Sequence, residues 1–243
     1  MHLISGEATR LSTATSRTAA ERRFYIGAAV GSVAVVLAGF SIDVDLLHDM
    51  SSLSLLVRVH GAVMFGWIAL FVAQTALVAR HRLAWHRRLG ILGAALAAVM
   101  VTANTATVVV AFRLGGNHLP PGIPAPQFLA LALFDLLTFA TLVSGGIALR
   151  GRSAWHKRLM LLATLMVLDA ALARFISAYT SWGLDPGIAR DALVLVCVAI
   201  DTLRYRRPHP AFILGGLLVF VTDPVAQWAA SLPVWARFCT WLH

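Results

Sequence analysis

Apolar stretches long enough to cross a lipid bilayer follow one another along almost the whole of this chain. A spanning helix needs roughly 20 mostly apolar residues, because the hydrocarbon core is about 30 Å thick and offers no water to backbone N–H and C=O groups. Seven segments meet that need: Phe24 to Ile42, Leu53 to Ala79, Leu89 to Phe112, Phe128 to Leu149, Leu159 to Tyr179, Ile188 to Leu203, and Ala211 to Ala230. The sixth is the shortest and bears Arg190, Asp191 and Asp201, so an interfacial helix is its alternative. A soluble domain carries about 25% charged residues. Here 13% are charged and 59% are hydrophobic, a balance that only lipid makes stable.

The formal net charge of +9 would fit a nucleic-acid binder if the basic residues formed one patch. They are instead divided among the connections. Of 20 basic residues, 15 fall into four clusters: Arg10, Arg17, Arg22 and Arg23; Arg80 to Arg88; Arg150 to Arg158; and Arg204 to Arg207. Counting the sixth segment as a span places all four clusters on one face, and without it the parity fails. The positive-inside rule then predicts a cell-membrane protein with a cytoplasmic N-terminus and an external or periplasmic C-terminus. Membrane lipids replace nucleic acid as the expected surroundings, and the oligomeric state stays open. Cys197 lies in an apolar segment and Cys239 in the C-terminal tail, which implies neither a disulfide framework nor a paired metal motif.

Residues 1–23 are rich in Ser, Thr, Ala and Arg and are expected to form a disordered cytoplasmic tail. Residues 24–230 form the membrane domain, and 231–243 a short external interfacial tail. The outer connections are acidic or turn-forming: Asp43, Asp45 and Asp49 in the first, four prolines between Gly115 and Gln127 in the second, and Asp185-Pro186-Gly187 in the third. Trp85, Trp155, Trp182, Trp228, Trp235 and Trp241 fall at or near the span boundaries, as an aromatic belt requires.

A shift of 70 residues aligns Leu83-Ala-Trp-His-Arg-Arg-Leu89 with Ser153-Ala-Trp-His-Lys-Arg-Leu159, and also Arg80 with Arg150 and Arg82 with Arg152. The expected fold is therefore all-α: a polytopic membrane bundle of seven transmembrane helices with a tandem two-helix repeat, in which segments two and three correspond to four and five. The repeat puts His86 and His156 at corresponding interfacial positions. Two such imidazoles are candidate metal or haem ligands, although Trp-His-Arg/Lys-Arg also reads as an amphipathic opening turn at headgroup depth.

Ionisable residues inside spans are costly unless they face the bundle interior, which makes them candidates for function. At a rise of about 1.5 Å per residue, His60 and Asp135 both lie roughly 10 Å below the outer boundary. Arg174, Asp223 and Asn104 reach the same outer half, with Asp169 nearer the midplane. His60, Trp67 and Gln74 share a helical stripe at intervals of seven residues. The sequence thus predicts a polar chamber with His60, Asp135, Asp223 and Arg174 as candidate catalytic groups and Asn104, Asp169, Trp67 and Gln74 as candidate ligand-binding groups. Carboxylates beside a guanidinium can divide into acid and base, with His60 as a proton shuttle. Asp223-Pro224 adds a kink beside a carboxylate.

With His60, Gln74, the run Trp85-His86-Arg87-Arg88-Leu89-Gly90, Asp201 and Arg207-Pro208-His209-Pro210, the chain resembles uncharacterised bacterial multipass membrane proteins. That resemblance covers segments two to seven and implies topology alone. A more distant similarity is to diheme b-type membrane cytochromes, which would imply haem b, with His60, His86 and His156 as the candidate ligands. The chain departs from them in that only His60 lies deep in a span. Seven-helix hydrolases that hold zinc through His and Asp share the topology, but their His-xxx-His in the last helix is absent here.

Three functions remain in view. The first is binding or acid/base conversion of a small amphipathic or lipid-soluble molecule; the second is a b-haem or quinone-linked redox subunit; the third is a structural or assembly protein without ligand.

Overall fold

A computed structural model describes residues 2–41, 54–115, 122–179 and 185–243, with side chains from residue 19 onward. Asp43, Asp45, His48, Asp49, His118 and Trp182 lie outside the described residues. Among the described residues the chain is all helical, without strands. The elements are α1 (His2–Phe40), α2 (Leu55–Ala79), α3 (Leu83–Leu114), α4 (Ala125–Ala148), α5 (Ser153–Met166), α6 (Asp169–Tyr179), α7 (Pro186–Tyr205), α8 (Pro210–Ala230) and α9 (Pro233–Leu242).

Among the described residues five helices are long and apolar enough to cross a membrane: the Ala19–Phe40 part of α1, then α2, α3, α4 and α8. The pair α5 and α6, bent by 43° at its junction, makes a sixth if taken as one broken span. The last expected span, α7, is 20 residues long and falls short on composition alone, since it carries Arg190, Asp191, Asp201 and Arg204. The chain has the make-up of a multipass membrane protein. Its surface agrees, because large apolar side chains such as Ile91 (74% exposed), Leu203 (73%) and Leu92 (65%) point outward, where lipid and not water makes them stable.

Two segments read as tails are helical. The backbone of residues 2–23 continues α1 without interruption, and no proline stands in that stretch to stop it. After the turn at Ser231, Pro233 at the first helical position starts α9, which folds back onto α4 and α8. Cys239 of α9 packs on Phe112 and Leu129, Trp235 donates to the Pro126 carbonyl at 2.9 Å, and Arg113 donates to the Leu242 carbonyl at 2.7 Å.

The bundle is built around α5. From Arg158 to Met166 every residue but Met160 is buried, because α5 packs against α4, α7 and α8 and also touches α1 and α2. A helix apolar on all sides is stable only in the middle. On the periphery α1 packs on α2 and α6, α2 on α3, and α3 on α4. The α1–α6 crossing is close: a Cβ on Gly39 would collide with the Ala171 backbone.

The α2–α3 and α4–α5 connections open alike, with the His86 amide donating to the Arg82 carbonyl and the His156 amide to the Arg152 carbonyl, both at 3.1 Å. Their environments differ. Arg88 lies over the exposed Trp85 ring, whereas the aligned Arg158 is buried at 2% exposure.

Candidate functional site

Arg190 is the hub of the polar cluster. Asp185 caps α7 by accepting from the Gly187 amide at 2.7 Å, and Pro186 occupies the first turn, so the helix starts where Arg190 projects inward from its second turn. At 1% exposure the guanidinium is enclosed by four carboxylates. Its Nη1 donates to Asp169 at 2.8 Å and to Asp135 at 3.4 Å. Its Nη2 donates to Asp223 and to Asp191, both at 3.0 Å, and its Nε donates to Asp191 at 3.1 Å.

Each carboxylate is placed by a different feature of the fold. Asp135 comes from the middle of α4. Asp169 is the first residue of α6, just after the break, where the amides of Val167 and Leu168 reach back only three residues, to Thr164 and Leu165. That position sets the carboxylate at the positive end of α6. Asp223 precedes Pro224 inside α8, and its neighbour Thr222 is tied to Thr138 of α4 by a 2.7 Å hydroxyl contact. Gly187 admits Asp223, since a Cβ there would collide with the Asp223 carboxylate. Gly187→Ala should therefore wedge α7 from α8 and cost about 1–3 kcal/mol. Thermal melts of the purified variant measure this loss, and an unchanged melt would refute the close packing.

One guanidinium against four carboxylates leaves an excess of three negative charges when all are ionised. The arginine is sealed, while the carboxylate side chains keep 23–32% of their surface accessible. Such a shell can take up protons, a cationic head or hydrogen-bond donors, and like charges at this spacing favour all three.

The expected chamber is thus divided. Asp135, Asp169 and Asp223 come together, and Arg190 occupies the centre expected for Arg174. Arg174 lies over the Phe40 ring at 4.5 Å and donates to the Ala170 carbonyl at 3.2 Å, within electrostatic reach of His60. His60 faces Asn104, which also donates to Met64 Sδ at 3.9 Å. Among the described residues His60 Nδ1 is buried without a hydrogen-bond partner. Trp67 is core: it donates to Thr164 at 3.2 Å and meets Phe139 edge-on. Gln74 stands about 21 Å along α2 from His60, near Gly90 and His86 at the opposite end.

At that opposite end the His86 and His156 rings meet at 6.1 Å and 84°. His156 Nδ1 lies 2.8 Å from the Gly146 carbonyl, and His86 Nδ1 is buried without a partner. His60 is too far away to join them in holding one metal or haem. No group of three or more His, Cys, Asp or Glu among the described residues could hold a metal ion.

A second ionic cluster escaped the sequence reading. Arg158 of α5 and Asp201 of α7 form a bidentate pair, with Nε to Oδ2 at 3.1 Å and Nη2 to Oδ1 at 2.7 Å, and both side chains are 2% exposed. Arg158 also donates to the Ala154 carbonyl at 2.8 Å and lies between the Tyr205 and Phe212 rings. Tyr205 donates to Glu21 at 2.8 Å, and Glu21 pairs with Lys157. Nearby, His209 caps α8 by accepting from the Ala211 amide at 3.1 Å. Burial first, and then the adjacent Arg158 charge, hold the His209 pKa below its ordinary value and keep that nitrogen an acceptor. No protein family matches the chain, and no curated protein or solved structure matches it, so its function has to be read from these two clusters.

Proposed function

We propose that this multipass membrane protein uses the acidic shell around Arg190 to bind a small amphipathic or lipid-soluble molecule with a cationic or hydrogen-bond-donating head, and that proton exchange with the shell accompanies binding or conversion. The supporting observation is the contrast between one sealed guanidinium and four partly accessible carboxylates contributed by α4, α6, α7 and α8. In this reading α7 is a true span whose charges are paired inside the bundle. The basic turns face the cytoplasm, so the acidic shell opens toward the outer side, with the C-terminus there too.

Asp135 provides the test, because it is the carboxylate farthest from Arg190, at 3.4 Å, and the most accessible, at 32%. Asp135→Asn should cost about 1 kcal/mol or less, since three other carboxylates still hold the guanidinium at 2.8–3.0 Å. It should nevertheless abolish the extra thermal stabilisation that n-hexylammonium gives over n-hexanol in the unaltered protein. If the two probes stabilise equally, the binding reading fails; if Asp135→Asn alone collapses the fold, the shell is a structural network without ligand.

The redox reading now rests on His86 and His156 alone, on the ring contact between them and the unpartnered His86 Nδ1. A reducible Soret band in the purified protein is its signature, and a colourless protein ends the haem form of it.

A further inference from the structure

We propose that the groove between α1 and α7, at the end of the bundle that bears the basic turns, binds an anionic phospholipid, with the phosphate on Arg23 and Arg204 and an acyl chain along the apolar floor. The groove has a volume of about 540 Å³ and is floored by Phe24, Gly27, Val196, Cys197 and Ile200. It runs from Ala20 to Ala28, about 12 Å along α1. It stays open because α1 packs against α2 and α6 rather than against α7, and a Cβ on Gly27 would meet nothing within 4 Å.

The charge at its rim is unbalanced. Arg204 stacks on Phe24 at 5.4 Å, and its Nη1 is buried with no hydrogen-bond partner among the described residues. Arg23 is exposed beside it. The acids nearest to them in sequence are already engaged, Glu21 by Lys157 and Tyr205 and Asp201 by Arg158. Two guanidiniums over an apolar trough match a phosphodiester with a hydrocarbon tail: the planar forks chelate phosphate oxygens, and the trough supplies area that a free anion would not use. Trp85 and Trp155 open helices at this same end, which sets the rim at headgroup depth. Basic pockets between helices at such a depth favour anionic headgroups.

Cys197 is a built-in reporter, since it lines the groove while Cys239 of α9 is buried against Phe112 and Leu129. The full chain carrying Cys239→Ser is placed in nanodiscs, one copy each, of dioleoylphosphatidylcholine with or without dioleoylphosphatidylglycerol, and N-ethylmaleimide alkylation of Cys197 is timed. The glycerol lipid should slow alkylation at least about tenfold, the order expected for two basic side chains at a membrane surface. Arg23→Gln with Arg204→Gln should remove that protection, whereas Arg87→Gln with Arg88→Gln, on exposed residues of α3, should keep it. Gly27→Leu, which enters open space and so leaves the fold intact, should exclude the chain and make Cys197 insensitive to lipid charge. Equal protection by both lipids would overturn the proposal, as would protection that survives the Arg23 and Arg204 changes. Sodium phosphate acting as well as the lipid would reduce the site to an anion subsite. Protection seen only in discs holding two copies, with Cys197 cross-linking between them, would assign the groove to a second chain.

Discussion

Arg190→Gln should destabilise the protein by about 3–5 kcal/mol, the usual penalty for removing one member of a buried ionic network. The loss is large because the guanidinium makes contacts to four carboxylates at 2.8–3.4 Å and nothing else among the described residues carries the balancing charge. Arg190→Lys recovers part of the loss, since an ammonium restores the charge but its three donors cannot span partners arranged around a planar fork. The sign of the pH response is diagnostic. Lowering the pH should partly restore Arg190→Gln, because protons remove the repulsion that the guanidinium had balanced. Adding Asp169→Asn to Arg190→Gln should likewise recover stability, as the two changes share one network. Thermal melts in detergent across pH measure both effects, and an Arg190→Gln protein that melts like its parent would show that Arg190 does not hold the cluster together.

What the sequence disclosed and what it withheld follow from how each signal is encoded. Membrane character was legible because hydropathy sums over some twenty residues and tolerates local errors. Asp135, Asp169 and Asp223 were legible because a carboxylate in lipid needs a partner. In the sequence alone the charge of Arg190 counts against α7 as a span and hides its place in the cluster. That charge marks the inward face instead: Gly187, Arg190, Val194 and Asp201 are the buried residues of α7, spaced by three, four and seven. Helical rise puts His60 level with the carboxylates but does not fix rotation about the helix, which turns it toward Asn104 instead. The break at Val167 and Leu168 involves no proline or glycine, so nothing local announced it. The 70-residue alignment pairs Arg88 with Arg158 but cannot show that the two sit in opposite environments, since alignment carries no information on which segment is central.

Asp201→Asn should cost about as much as the loss of Arg190, about 3–5 kcal/mol, but for a different reason. The Arg158–Asp201 pair joins the central helix α5 to α7 inside a dry contact, with both side chains 2% exposed and every Arg158 nitrogen bonded to Asp201 or to the Ala154 carbonyl. Neutralising the aspartate leaves a buried guanidinium beside Tyr205 and Phe212 with neutral acceptors and ring faces in place of its counter-ion. The apolar double replacement, Arg158→Met with Asp201→Leu, should be close to neutral, because desolvation of both charges is then avoided together with their attraction. A double-mutant cycle read by thermal melts therefore gives a strongly favourable coupling, one insensitive to salt because the pair is screened by protein and not by ions. Additive losses would mean that the two residues act through separate contacts. The neutral double replacement should leave any hexylammonium binding at the Arg190 shell unchanged, since the two clusters lie at opposite ends of α7.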